Sequence, residues 1–375
     1  MKTTHIAMTM ANTPSVPYFN WFAEEVAKYP ELKFSFICLY HVKPIMIEEM
    51  KNFNCDCYWI KFDAKKRKKS MFFALLSFIK LYKKIKPDIV HSHLFDDSLP
   101  SLIAARLTGI KKRIITKQDT SFHYYYAPKW VWADKFNNFN ATKIIAVSKE
   151  VSKFVIEKER AKEQKVTIIH HGIPFKYLCK SDDELKKELI LKYKLSNKIV
   201  IGTIARYIEW KGYRYIIDAA IDIVKKHSNV VFLFISTGEQ KEELEQLIKK
   251  NKLQQNIILT GWIDKKYIPS LYSLMNIYLH AANYEPFGFV IAEAMANKVP
   301  IVTTPTGAAL DALEHKVNCY MTEYKNPQQI TDGVLWLLES KENQNILTDN
   351  AYQKAIEMYQ FETMFHNHLK LYKGI

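Results

Sequence analysis

Glu285 and Glu293 stand with seven residues between them in Glu285-Pro286-Phe287-Gly288-Phe289-Val290-Ile291-Ala292-Glu293, and Glu293 is the sole charge between Pro286 and Asn297. A carboxylate set in Val-Ile-Ala-Glu-Ala-Met-Ala is costly to bury unless hydroxyl or amide donors meet it, and the hydroxyls of a ribose would do so. Pro286 and Gly288 suit a tight loop whose free amides, around Phe287 to Phe289, face an anion or a sugar at a helix start. Upstream, Arg206 leaves the apolar run Ile201-Gly202-Thr203-Ile204-Ala205, and Lys211-Gly212 opens the next helical pattern. Two cations flanking one strand-to-helix turn can clamp a diphosphate by charge-assisted hydrogen bonds. Downstream, Pro300 to Gly307 reads as a buried strand ending in small residues, where backbone can approach a ligand closely. Singly these are ordinary features: a lone cation is usually solvated, and Glu293 could reach solvent. Together they describe a site for a phosphorylated, hydroxyl-rich molecule.

Such a site needs a scaffold, and ligands of open α/β sheets bind at the carboxyl ends of strands. Apolar runs predict strands at His5 to Met10, Lys33 to Leu39, Asp88 to His91, Arg113 to Thr116, Lys143 to Val147 and Val166 to Ile169. Helical patterns intervene, which indicates parallel βαβ units. The pattern restarts with strands at Lys198 to Ile204, Val230 to Ile235, Asn256 to Leu259, Ile277 to His280 and Pro300 to Thr303. Between the halves, His171-Gly172-Ile173-Pro174-Phe175 and the polar stretch Lys180 to Lys187 read as a turn and hinge. The expected division is therefore residues 1–178, residues 179–355, and a C-terminal helical segment over 356–375 that packs back on the first domain. Apolar residues share one face of a single helix from Ala351 to Tyr372.

The chain has 375 residues, enough for about two cores, and its 48% hydrophobic content argues against disorder. Its five cysteines are odd in number and scattered, so free thiols are expected; Cys55 and Cys57 form only a C-x-C pair, without metal-site spacing. The N-terminus runs straight into strand-like sequence, and no stretch approaches ~18 uncharged apolar residues. A cytoplasmic protein is the expectation. A net charge of +15 predicts attraction to something acidic without choosing among nucleic acid, anionic lipid and phosphorylated substrate.

The combined pattern resembles the E-x7-E signature of retaining glycosyltransferases of the GT-B fold, specifically family 4, the glycosyl transferases group 1. The resemblance extends through Asn256 to Trp262, Leu271-Tyr272 and Ile144 to Ser148. It implies an α/β protein of two Rossmann-like domains facing each other across a cleft, the N-terminal one for acceptor and the C-terminal one for a nucleotide-sugar donor. It implies that Arg206 and Lys211 hold the diphosphate, Glu285 the donor-sugar hydroxyls and Glu293 the ribose. The Phe287, Gly288 and Phe289 amides would lie close to sugar and phosphate, Trp262 near the base, and Gly307 at the close-approach loop. The implied reaction retains anomeric configuration, requires neither metal nor cofactor, and moves a hexose or N-acetylhexosamine from a donor expected to be UDP-linked.

The N-terminal half departs from this pattern. The first loop is Ala11-Asn12-Thr13-Pro14-Ser15-Val16-Pro17 rather than glycine-rich, Ala205 replaces a common glycine before Arg206, and Gln118 stands where a histidine is frequent. His93 is the candidate replacement, with His123 a second; for each, a core or surface histidine is the plain alternative. Asp96-Asp97 is a possible carboxylate pair. Lys65-Lys66-Arg67-Lys68-Lys69 precedes an apolar helical run to Lys84, a combination suited to an anionic membrane surface and hence to a glycan or lipid-linked acceptor in surface-polysaccharide synthesis. The rival with equal standing has the lysines simply solvated. A nucleic-acid partner is not expected, since no recognised binding module accompanies the charge. A nucleotide-sugar epimerase or a phosphorylase on the same architecture is the alternative enzyme.

Overall fold

The computed structural model describes residues 3–119, 123, 124 and 127–374. The chain divides into two compact units, Met1–His170 with Phe365–Ile375, and His171–Met364. Each unit is an open parallel sheet with helices between its strands.

In the first unit the strands are β1 (Thr4–Ala11), β2 (Leu32–Tyr40), β3 (Asp56–Lys61), β4 (Ile89–Ser92), β5 (Lys112–Lys117), β6 (Lys143–Ala146) and β7 (Val166–Ile168). Their order is β3-β2-β1-β4-β5-β6-β7, with every pairing parallel. Ile6, Ala7 and Met8 of β1 and Phe36, Ile37 and Leu39 of β2 are fully buried, as expected for central strands covered on both faces. The second unit holds β8 (Ile199–Ile204), β9 (Val230–Ile235), β10 (Ile257–Gly261), β11 (Ile277–His280), β12 (Ile301–Thr303) and β13 (Tyr320–Met321) in the order β10-β9-β8-β11-β12-β13. Its core centres on Ile201, Phe232, Phe234 and Leu279, with Ile216 and Ile223 packed against it from the helix Tyr213–Lys226.

Both orders reverse direction once, between β1 and β4 and between β8 and β11. Loops leaving the two strands at such a point diverge and open a crevice at their carboxyl ends, where ligands of this architecture bind. The expected strands recur within a residue or two at their ends. The sequence reading omitted β3, an edge strand carrying the exposed Asp56 and Lys61, and the two-residue β13.

Two boundaries differ from expectation. The units divide after His170, not after 178, because the segment anticipated as a hinge is tied into the second unit. Ile173 receives Phe361 N–H at 3.0 Å and donates its own to Tyr359 at 2.8 Å, and a Cβ on Gly172 would meet the Phe361 backbone at 2.7 Å. That same pairing breaks the single C-terminal helix into Lys341–Tyr359 and Phe361–Lys373, with Gln360 extended at ψ 138°. The residues from Phe365 belong to the first unit, where Phe365 contacts Phe22 and Tyr29, and the Tyr372 hydroxyl lies 2.7 Å from His91 Nδ1. All five cysteines are free.

Candidate active site

In the second unit the candidate residues sit on the loops that leave β8, β11 and β12. Past β8 a one-turn helix, Glu209–Lys211, ends on Gly212, whose φ of 74° is left-handed. A Cβ there would lie 2.0 Å from the Ala281 carbonyl oxygen, so only glycine lets the β8 loop pass this close to the end of β11. The Asn283 amide donates to the Trp210 carbonyl at 2.8 Å and fastens the same two loops. A second glycine contact joins the β11 and β12 loops: Gly307 at φ 49° would place a Cβ 2.2 Å from the Phe287 carbonyl oxygen, which accepts from Ala308 N–H at 2.5 Å. Three loops far apart in sequence are thus fixed by backbone alone.

Their side chains converge. Lys211 Nζ lies 2.5 Å from Glu285 Oε2, and His280 Nε2 lies 3.8 Å from the same oxygen. The Lys211 and Glu285 side chains are only 13% and 16% exposed, so their ion pair is poorly screened. His280 is buried, and burial first, the Lys211 charge second, drives its pKa down to about 3. It is therefore neutral beside the pair. His280 Nε2, Asn283 Oδ1 and Thr306 Oγ1 are buried without a hydrogen-bond partner among the described residues. Unmet polar atoms grouped at strand ends suit a hydroxyl-bearing ligand.

The helix Phe289–Ala296 opens on Gly288 at φ 84°, with no acidic residue in its first turn. Its leading amides have no partner within the helix, so its N-terminus favours an anion. Phe287 offers only backbone, since its ring is buried against His171 and Tyr359. Phe289 is more open and stacks on His171 at 4.9 Å. Glu293 lies further along this helix, partly buried; burial raises its pKa while the Tyr272 hydroxyl, donating at 2.9 Å, opposes the rise. Tyr272 thus supplies one of the hydroxyl donors that the sequence requires for this carboxylate, and its other lone pairs remain for a ligand. Arg206 is exposed, with no ion pair among the described residues. Trp262 is 71% exposed after β10, two strands out from β8. The structure brings Lys211, Glu285, Gly288 and Gly307 together; among the described residues no hydrogen bond or ion pair joins Arg206 or Trp262 to them.

In the first unit a cavity of about 260 Å³ opens where β1 and β4 diverge, lined by Asn12, His93, Lys117, Gln118, His123 and Asn137 among others. His93 is buried, and burial lowers its pKa to about 3. Its Nδ1 is 3.0 Å from the Thr9 carbonyl, an acceptor only, so Nδ1 carries the proton and Nε2 is left as an acceptor with no partner among the described residues. Asp96 and Asp97 do not act as a pair. Asp97 accepts from the His93 and Leu94 amides and the Thr9 hydroxyl, while Asp96 meets Arg67 at 2.9 Å and Asn12 at 2.7 Å. Burial lifts the Asp97 pKa to about 7. Arg67 is therefore a structural cation, not a member of a solvated cluster. No group of three metal-ligating side chains occurs among the described residues.

The network beneath this cavity escaped the sequence reading. Lys117 is buried between Glu159 at 2.7 Å and Asp134 at 3.4 Å, and Asp134 also meets His123 Nδ1 at 2.5 Å. Burial opposes the Lys117 charge, but the two carboxylates outweigh it and its pKa rises. The one available signal was a lysine ending an apolar strand, Lys112–Lys117.

Comparison with known proteins identifies the family and the fold. Residues 186–354 match the family model for glycosyl transferases group 1, and residues 56–176 match that for glycosyltransferase family 4. The capsular polysaccharide biosynthesis glycosyltransferase CapM of Staphylococcus aureus is 27% identical over 321 residues, 80% of this chain and 82% of that protein. The uncharacterized glycosyltransferase MJ1607 of Methanocaldococcus jannaschii is 26% identical over 243 residues, 63% of this chain and 61% of that protein. The crystal structure of Anabaena HepE in complex with UDP superposes with a TM-score of 0.83 at 16% identity, covering 100% of both chains. The chain belongs to the glycosyltransferases of group 1, family 4, and has their GT-B fold.

Proposed function

We propose that this glycosyltransferase moves a hexose or N-acetylhexosamine from a UDP-sugar, with retention of anomeric configuration, to a glycan or lipid-linked acceptor of surface-polysaccharide synthesis. The observation that carries the reading is the Lys211–Glu285 pair at the β8/β11 crevice, set beside a helix N-terminus and held by Gly212 and Gly307. Lys211, Arg206 and the first-turn amides of Phe289–Ala296 would receive the donor diphosphate. Negative charge grows on that group as the glycosidic bond breaks, and fixed donors there stabilise it without reorganising. Glu285 would accept from donor-sugar hydroxyls and Glu293 from the ribose. The unmet His280, Asn283 and Thr306 atoms add capacity for a hydroxyl-rich ligand. The UDP bound to HepE and the role in CapM's name support donor and pathway by likeness.

Two cations and a helix terminus oppose the diphosphate charge, so the reaction is proposed to need neither metal nor cofactor. Peripheral docking on the inner, cytoplasmic membrane face is proposed from the helix Arg67–Ile85, which exposes Phe72 (59%), Phe73 (52%) and Leu76 (49%) near Lys68 and Lys69. Among the described residues no helix is long and apolar enough to cross a membrane. The test is an anomer-resolved product spectrum recorded with and without a chelator. Retention in both conditions is expected; inversion, or activity abolished by chelation and restored by magnesium, would reject the mechanism.

A further inference from the structure

Two adjoining cavities of the first unit have opposite character. The one beside His93 is lined by the cations Arg67 and Lys117 but also by Asp96, Asp119 and Asp134, with His123 at its edge. Apart from Arg67 Nε and Asp96 Oδ1, which form an ion pair with each other, its buried polar atoms without a hydrogen-bond partner among the described residues are neutral: Ser98 Oγ, His93 Nε2, held as an acceptor by its Nδ1 contact, and both side-chain amide atoms of Asn137, which is 1% exposed. Acidic lining repels a phosphate. An acceptor nitrogen and an amide with both a donor and an acceptor suit the hydroxyls of an uncharged sugar ring.

The second cavity, a groove of about 850 Å³, is lined by Lys65, Lys66, Arg67, Lys68, Lys69 and Lys129, with no carboxylate among the described residues and with Trp130 on its wall. The five lysines are exposed, and none forms an ion pair among the described residues. Three of the six cations, Arg67, Lys68 and Lys69, fall in the first turn of the helix Arg67–Ile85, which has no acidic residue there. Asp96 answers the Arg67 charge, whereas Lys68 and Lys69 at the positive end of the helix repel both the dipole and one another, and an anion in the groove would relieve that repulsion. Arg67 lines both cavities, its guanidinium fixed by Asp96 and lying about 6 Å from the Phe95 and Trp130 rings (5.9 and 6.0 Å).

We infer that these cavities form one acceptor site, in which the cavity at His93 and Asn137 takes an uncharged sugar ring and the lysine groove takes a phosphoryl group joined to that sugar. This rests on the glycosyltransferase reading and narrows its acceptor to a sugar carried on a phosphate or diphosphate. The phosphoryl group gains charge-assisted contacts from several lysines, and Arg67 marks the junction between uncharged and anionic parts. The exposed Phe72, Phe73 and Leu76 lie on the helix that begins at the groove, where an apolar carrier attached to the phosphate would meet them.

The test uses the full chain saturated with UDP, so that added phosphates cannot compete at Arg206 and Lys211. Calorimetric titrations with inorganic pyrophosphate, inorganic phosphate, and the 1-phosphates of glucose, galactose and N-acetylglucosamine are compared for wild type and K65Q/K66Q/K68Q/K69Q. Wild type is expected to bind pyrophosphate and to prefer at least one sugar phosphate over inorganic phosphate. The quadruple variant should bind these ligands at least tenfold more weakly with UDP affinity unchanged, and Asn137→Ala should narrow the sugar preference several-fold while leaving pyrophosphate binding intact. No pyrophosphate binding by wild type, or equal binding by the quadruple variant, overturns the groove assignment; no preference for any sugar phosphate overturns the sugar cavity. Vesicles of phosphatidylglycerol form a separate arm: if the variant loses vesicle binding but keeps pyrophosphate, the lysines serve a lipid surface and the inference fails. Failure of wild type to bind UDP would instead strike the donor reading.

Discussion

The crevices of the two sheets occupy the same topological position yet are built in opposite ways. In the second unit, left-handed glycines lock the loops by backbone contact, and the charged side chains above them, Lys211 and Glu285, are linked mainly to each other. In the first unit the charges lining the crevice are paired with one another, Lys117 with Glu159 and Asp134 and Arg67 with Asp96, and the buried side chains left without a hydrogen-bond or ion-pair partner there, His93 and Asn137 among them, are neutral. The shared fold therefore dictates where a ligand binds, not what kind. A site for a diphosphate needs cations that can leave their partners, and a site for sugar hydroxyls needs unmet neutral atoms held still.

The contrast predicts different failures. Lys117→Met should destabilise the first unit by about 3 to 5 kcal/mol, because Glu159 and Asp134 would be left buried without their cation. Denaturant unfolding checks this, and a loss below 1 kcal/mol would show that the network is not what holds the crevice. Lys211→Ala and Arg206→Ala should each cut turnover by about 10² to 10³-fold, as removal of a donor to a developing oxyanion does, while shifting stability far less. Turnover near wild type in either variant would remove that residue from the clamp.

Acid should remove the contribution of one buried histidine in each unit, while in the first unit Asp97, with a folded pKa of about 7, works in the opposite direction because the folded chain takes up its proton first. His93 and His280 have folded pKa values of about 3 against 6.5 for the free group, so the unfolded chain takes up protons first as pH falls. Their contribution is whole above pH ~6.5 and is lost progressively towards pH 3, by about 2 kcal/mol per histidine at pH 5. His280→Gln should flatten the stability profile over that window by one proton's slope. An unchanged profile would mean that His280 is not held neutral.

The candidate crevice of the second unit was legible because its signals are local. Glu285, Gly288 and Glu293 share one loop and helix, and Arg206, Lys211 and Gly212 share another, so type and spacing alone single them out as a candidate site. The Lys211–Glu285 contact is not local, and its enforcement by Gly212 against Ala281 requires the fold. In the first unit the relevant groups come from Asn12, His93, Lys117 and Asn137, each on a different element, and no spacing in sequence joins them. The basic run was read correctly as charge, but Arg67 proved to be spoken for by Asp96, which no periodicity could indicate. The C-terminal helix was read as unbroken because its apolar face is continuous; the break at Gln360 comes from a pairing with Ile173, a tertiary effect.

The central claim is that the two carboxylates of the second unit divide the donor between them, and titrating Glu285→Gln and Glu293→Gln with UDP and with the intact UDP-sugar tests it most directly. Glu293→Gln should weaken both ligands by a similar factor, because the ribose is common to them. Glu285→Gln should weaken only the UDP-sugar and leave UDP at wild-type affinity. Equal effects of the two substitutions on both ligands would contradict the account.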